Sequence, residues 1–135
     1  MAKFNPYESY LNTDAQTTDQ LRLIVLMYDA TIRYLREARG AVERNDRLSS
    51  AKALEKARAT VSELRATLDL KQGGEIAFNL VKLYNYVSTE ILLANVESDI
   101  QRVDNVIKIL SNLREGWVEL SKNPDAKQHP ANMKV

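Results

Sequence analysis

Residues 21–42 read LRLIVLMYDATIRYLREARGAV, and the apolar side chains in them recur at steps of three and four. This spacing is typical of an amphipathic α-helix, in which 3.6 residues complete one turn. We predict a first helix over about 19–44, since Thr17, Thr18 or Asp19 can each accept hydrogen bonds from the free amides of its first turn. Its predicted core stripe is Leu21, Val25, Tyr28, Ile32, Leu35 and Val42.

The same spacing predicts three further helices, over about 46–70, 75–96 and 99–121. Asn45-Asp46 interrupts the first pattern and offers a cap for the second helix, and Asp99 offers one for the fourth. Gly73-Gly74 is a pair of residues that ends helices readily, because glycine adopts turn conformations at low steric cost. Short connections make neighbouring helices antiparallel, so the predicted fold is all-α, an antiparallel up-down four-helix bundle.

The predicted stripes of these three helices complete the expected core. In the second helix they are Leu54, Ala57, Val61, Leu64 and Leu68; in the third Ile76, Leu80, Leu83, Val87, Ile91 and Ala94; in the fourth Ile100, Val103, Ile107, Leu110, Leu113, Trp117 and Leu120.

The two ends of the chain differ from the periodic middle. Residues 122–135 are polar, contain two of the three prolines and lack an apolar stripe, so we expect a flexible tail. Residues 1–18 hold four large apolar side chains, which are Phe4, Tyr7, Tyr10 and Leu11. We expect this N-terminal segment to pack on the bundle, either as a removable lid or as a permanent part of the core.

Composition excludes several classes of function. The 135 residues include no Cys and a single His, His129, which lies in the polar C-terminal stretch. Thiolate or histidine metal sites and Cys or His nucleophiles are therefore not expected, nor is a cofactor. With a formal net charge of +1 and no basic patch with interleaved aromatics, nothing favours nucleic acid. No apolar run could span a membrane and no secretory signal is seen, so we expect a cytoplasmic protein.

A small all-helical enzyme of the chorismate mutase kind is the catalytic alternative. Such a site needs several Arg or Lys side chains converging from different helices on two carboxylates. The cations of this chain fall mostly off the apolar stripes, which favours an ordinary solvated face, and we do not expect an enzyme.

The first helix carries more apolar residues than one core face requires. A second stripe, roughly opposite the first, consists of Leu23, Met27, Ala30, Tyr34 and Ala41, with Leu26 beside it. The third helix has Phe78, Val81 and Leu92 off its main stripe. Either the first helix is central and covered on both sides, or the second stripe forms a groove for a partner's amphipathic helix.

Six strings in order resemble the flagellin export chaperone family, FliS. They are NPYESY (5–10), LIVLMYDATIRYL (23–35), KARATVSEL (56–64), GGEIAFNLVKLYNYV (73–87), Ala94-Asn95 and LREGW (113–117). The resemblance covers about residues 4–120.

The resemblance implies a non-catalytic cytoplasmic chaperone that binds the C-terminal segment of flagellin as a 1:1 complex. That segment folds into helices along apolar grooves, which prevents premature polymerisation and supports flagellar type III secretion; the export gate and other flagellar regulators are further implied partners. It also implies Tyr7 and Tyr10 as lid or contact residues, and Met27 and Tyr28 as groove or adjoining core. Leu11, Leu23 and Tyr34 are added from the apolar pattern. The alternative within this class is a bundle adaptor for another flagellar client.

Overall fold

The computed structural model describes the backbone of residues 14–122 and the side chains of residues 19–122. Four helices occupy this range: α1 (Asp14–Glu43), α2 (Arg47–Ala66), α3 (Leu70–Glu97) and α4 (Ile100–Lys122). The connections between them are two or three residues long. The predicted all-α four-helix fold is confirmed.

Side-chain pairs between helices establish the antiparallel order. The Thr31 hydroxyl contacts the Thr60 hydroxyl of α2 at 2.6 Å, while Tyr34, further along α1, lies beside the earlier residue Lys56. The helix α1 packs on α2 and α4, and α3 completes the bundle by packing on the same two helices. No helix of the described range is long and apolar enough to cross a membrane.

Two of the predicted caps are present. The Asp46 carboxylate accepts a hydrogen bond from the Ser49 amide at 3.1 Å, and the hydrogen bonds from Ser49 lower the pKa of that carboxyl. The Asp99 carboxylate accepts from the Gln101 amide at 3.0 Å at the start of α4. A carboxylate in this position satisfies amides that have no partner within the helix.

The helix bounds differ from the prediction at three places. The helix α2 ends at Ala66, four residues before the predicted end, where Thr67 caps it. The helix α1 begins at Asp14, five residues before the predicted start, because residues 14–18 contain neither Gly nor Pro to stop it. The helix α3 begins at Leu70, ahead of the glycine pair, because Asp69 caps it by accepting from two amides. The predicted break survives as a kink at Gly74, where φ is 55° and ψ is −134°.

The core is wider than the predicted stripes. Ile24, Tyr84 and Val106 are buried although no stripe included them. Seven residues of the predicted stripes are only partly buried, and they are Val25, Val42, Leu68, Ile76, Leu83, Ile100 and Ile107. A helix packed between two neighbours buries a face of 100° or more, and a single stripe samples only part of that face. Ala41 was placed on the second stripe but is buried, close to the turn where the Asp46 amide donates a hydrogen bond to its carbonyl.

Candidate partner-binding surface

Large apolar side chains remain exposed on the described surface of the bundle, by between 42% and 68% of their area. They are Leu23, Leu26, Leu48, Leu70, Phe78, Tyr86, Leu92 and Val96. Single exposed apolar residues are common on proteins, but contiguous sets are typical of interaction sites.

The first set lies where α1 adjoins α2. Leu23, Met27 and Tyr34 share one line along α1 at spacings of four and seven residues. Tyr34 marks the side of the helix, since the Lys56 ammonium of α2 lies 5.8 Å from its ring centroid. Leu23 is half exposed, whereas Met27 and Tyr34 are partly buried against the core. We call Leu23, Met27 and Tyr34, with Lys56 of α2, the α1–α2 surface.

The second set lies on α3 and also faces α2. Phe78 and Leu92 are two heptads apart, so they share a line, and Val96 lies one turn beyond Leu92. Asn85 is midway on this line, and it accepts a hydrogen bond from Arg65 of α2 at 2.7 Å. We call Phe78, Leu92 and Val96 the α3 row. The helix α2 therefore lies between two apolar surfaces.

The residues proposed from the sequence fall into three environments. Leu23, Met27 and Tyr34 lie together on the α1–α2 surface. Tyr28 lies in the core with no exposed area. Tyr7, Tyr10 and Leu11 fall outside the described residues.

Tyr28 belongs to an aromatic cluster that joins three helices. Its hydroxyl lies 2.6 Å from the Tyr84 hydroxyl of α3, and its ring centroid is 6.4 Å from that of Trp117 on α4. Burial raises the pKa of Tyr28 from 10.0 to about 12, although the hydrogen bond with Tyr84 acts in the opposite direction. The Trp117 indole N–H also acts to lower that pKa, yet it makes no hydrogen bond of normal geometry with any described residue.

The strings that suggested a family resemblance meet in this cluster. Tyr28, Tyr84 and Trp117 come from three different strings, at 23–35, 73–87 and 113–117. Two of these strings are also joined at the surface, where the Arg114 guanidinium binds the Asp29 carboxylate and Asp29 raises the pKa of Arg114. These residues therefore fix how α1, α3 and α4 pack.

A cleft of about 810 Å³ between α1 and α4 bears on the catalytic alternative. Its lining includes three arginines and three carboxylates, which are Arg33, Arg36, Arg114, Asp29, Glu37 and Glu115. The Arg114 guanidinium is already bound to Asp29, and the charges in the lining balance. A site for a dicarboxylate substrate needs surplus positive charge in an enclosed pocket, and this cleft lacks the surplus.

Reasoning from the sequence missed part of the surface. Tyr86 and Val96 belong to the third helix but were in neither its stripe nor its surplus. Arg58 and Arg65 were interpreted as a solvated face, yet both reach across to α3. The two arginines lie two turns apart on α2, but the sequence does not show which side of α2 faces α3.

Comparison with known proteins confirms the family resemblance that the six sequence strings suggested. The family model for flagellar protein FliS matches residues 3–124. The chain is 38% identical over 101 residues to the flagellar secretion chaperone FliS of Salmonella typhimurium, covering 74% of this chain and 75% of that protein. It is 34% identical over 113 residues to FliSB of Pseudomonas aeruginosa, and 30% identical over 122 residues to FliS of Campylobacter jejuni. Those matches cover 82% and 90% of this chain, and 90% and 95% of the two relatives. The chain is therefore a member of the FliS family of flagellar secretion chaperones.

Proposed function

We propose that this chain binds the C-terminal segment of flagellin in the cytoplasm, as a 1:1 complex, and covers it until type III export. Membership of the FliS family supports a flagellar client. The observation that carries the proposal is the pair of apolar surfaces on either side of α2, the α1–α2 surface and the α3 row.

A segment that is disordered when free suits such a surface. It can fold into helices as it binds and contact two surfaces that a rigid partner would not reach together. Complete burial of one Leu or Phe side chain stabilises a complex by about 1.5–3 kcal/mol. Leu23, Phe78 and Leu92 are each about half exposed. Burial of the exposed half of one of these side chains therefore contributes roughly half of that free energy.

The proposed residues divide into contacts and support. Leu23, Met27 and Tyr34 contact the client directly. Tyr28 acts from the core, where its hydrogen bond with Tyr84 holds α1 against α3 and keeps the α1–α2 surface in place. Tyr7 and Tyr10, with Leu11, act as a lid or as further contacts.

Isothermal titration calorimetry with a peptide of the cognate flagellin C-terminus tests the proposal. We expect 1:1 binding with a negative heat-capacity change, since apolar area is buried, and a gain in helix content by circular dichroism. Absence of binding at micromolar concentrations would overturn the proposal.

A matched pair of variants tests the surface itself. Leu23→Ser should weaken binding of the flagellin peptide about tenfold, which corresponds to about 1.4 kcal/mol. Leu48→Ser is the control, since Leu48 is 68% exposed at the start of α2 and belongs to neither surface. Thermal unfolding should show both variants folded with nearly unchanged melting temperatures, because Leu23 is about half exposed and Leu48 is mostly exposed. Equal affinities of the two variants would exclude Leu23 as a contact.

A further inference from the structure

A small polar cleft of about 180 Å³ lies between α2 and α3. Its lining consists of Arg58, Val61, Ser62, Arg65, Tyr84, Asn85 and Ser88. The lining thus includes two arginines, two serines and an asparagine, and no carboxylate residue belongs to it. The lining of the α1–α4 cleft, by contrast, contains as many carboxylates as arginines, three of each.

Both guanidinium groups are held in place without being neutralised. Arg58 Nε donates to Ser88 Oγ at 3.4 Å, and an Arg65 terminal nitrogen donates to Asn85 Oδ1 at 2.7 Å. Neither arginine has a carboxylate oxygen within 4.0 Å among residues 19–122. Since a guanidinium carries five N–H donors, each arginine keeps donors for an oxyanion.

The position of the α3 row indicates which part of a partner would carry such an oxyanion. Asn85 lines the cleft and lies midway between Phe78 and Leu92, seven residues from each. Seven residues of helix span about 10 Å. A helix lying along α3 with apolar residues on Phe78 and Leu92 therefore carries the middle of its contact face over the two arginines.

We propose that this cleft binds the carboxylate of one Asp or Glu on an amphipathic client helix docked along α3. The acidic residue lies between two apolar residues of the client, about two turns from each. This inference rests on the proposed function and adds to it a charged determinant that selects among apolar segments. Charge complementarity supplies the selection, because an apolar helix without the acid leaves the two cations uncompensated.

Nuclear magnetic resonance of the ¹⁵N-labelled full chain tests the cleft without any client. Titration with inorganic phosphate, an oxyanion probe, should shift the Arg58 and Arg65 Nε–H resonances saturably. The Arg36 resonance should not shift in this way, because Arg36 lies on the far side in the α1–α4 cleft beside carboxylates. Equal, non-saturating shifts at all three arginines would overturn the proposal.

Calorimetry with the flagellin C-terminal peptide tests the client helix. The double variant Arg58→Gln, Arg65→Gln should bind about tenfold more weakly than wild type and with a smaller salt dependence, whereas Arg36→Gln should bind unchanged. Each Asp and Glu of the peptide is then changed to its amide, and one of these changes should lose its effect in the double variant.

The outcomes separate the two proposals. If wild type binds the peptide and the double variant binds it equally well, the acidic determinant is wrong and the proposed function stands. If wild type does not bind the peptide, both proposals fail. If wild type self-associates in sedimentation experiments and the double variant does not, the cleft serves a second copy of this chain, and the acidic client helix is wrong.

Discussion

At the scale of single residues, Tyr28 joins the stability of the bundle to the position of its surfaces. The phenol is fully buried, and its hydroxyl lies 2.6 Å from that of Tyr84. Burial disfavours the phenolate, so the pKa of Tyr28 rises from 10.0 to about 12. The folded state therefore holds this proton more tightly than the unfolded state does. Because the two states differ in this pKa, the stability of the fold depends on pH.

We predict that the free energy of unfolding falls as the pH rises from 10 to 12. The unfolded chain releases the Tyr28 proton near pH 10, whereas the folded chain retains it until about pH 12. A difference of two pKa units corresponds to about 3 kcal/mol of stability, which is present below pH 10 and is lost as the pH rises from 10 through 12. Urea denaturation of wild type and Tyr28→Phe between pH 8 and 12 measures this loss.

The Phe variant separates this titration from those of other groups. At pH 8 it should be about 1–2 kcal/mol less stable than wild type, since a buried hydrogen bond is lost. That difference should shrink with rising pH and change sign close to pH 12, because the wild type loses about 3 kcal/mol while the variant has no phenol to ionise at this position. Tyr86→Phe is the control, since Tyr86 is exposed on α3 and should give the wild-type profile. A wild-type to Tyr28→Phe difference that is constant from pH 8 to 12 contradicts the prediction.

At the scale of elements, the glycine pair of α3 determines where this helix bends. Gly74 has φ of 55° and ψ of −134°, a conformation that side-chain-bearing residues rarely adopt. A Cβ on Gly73 would lie 2.5 Å from the Ala77 Cβ, too close for real atoms. Gly74 therefore allows the kink, and Gly73 allows the close packing against the next turn.

We predict that Gly74→Ala lowers the free energy of unfolding by about 1–3 kcal/mol, the cost of strain at such a dihedral pair. Gly116→Ala is the matched control in α4, where a Cβ would meet nothing within 4 Å. It should raise the free energy of unfolding by about 0.5–1 kcal/mol, because alanine favours a helix interior. Chemical denaturation of both variants gives the comparison. Effects of the same sign would show that the kink does not depend on Gly74.

The elements also show what could be predicted from the sequence. Helix number and the caps Asp46 and Asp99 follow from local spacing and side-chain chemistry, which the sequence records directly. The kink replaced an expected helix end because Asp69, four residues ahead of Gly73, caps a turn that the glycines alone do not reveal. Tyr84 was missed as a core residue because its burial depends on two neighbouring helices at once.

The candidate surface was predictable to a similar extent. The apolar surplus at Leu23, Met27 and Tyr34 follows from the helical wheel of α1, and the structure brings these residues together. The cleft with Arg58 and Arg65 was not predictable, since a charged residue on one helix is indistinguishable from solvated surface until the register of the next helix is known. Interhelical register depends on packing, and one helix viewed alone does not contain it.

At the scale of the whole molecule, the buried aromatic cluster and the proposed binding surfaces lie in different parts of the bundle. Trp117, the single tryptophan, lies buried beside Tyr28 where α1, α3 and α4 meet. The α1–α2 surface and the α3 row instead adjoin α2. A client that docks on these surfaces has no need to open the core, so chaperone and client can associate while the bundle stays folded.

We therefore predict that saturating binding of a tryptophan-free flagellin C-terminal peptide leaves the fluorescence emission maximum of Trp117 unchanged. Helix content should rise in the same titration, because the peptide folds on the outside of an intact bundle. Unfolding in urea provides the reference, since it exposes Trp117 and shifts its emission to longer wavelength. A shift toward that unfolded value on binding would mean that the client separates α4 from α1, with the indole leaving the Tyr28 ring. In that case the aromatic cluster, rather than the surfaces beside α2, would be the part of the molecule that receives the client.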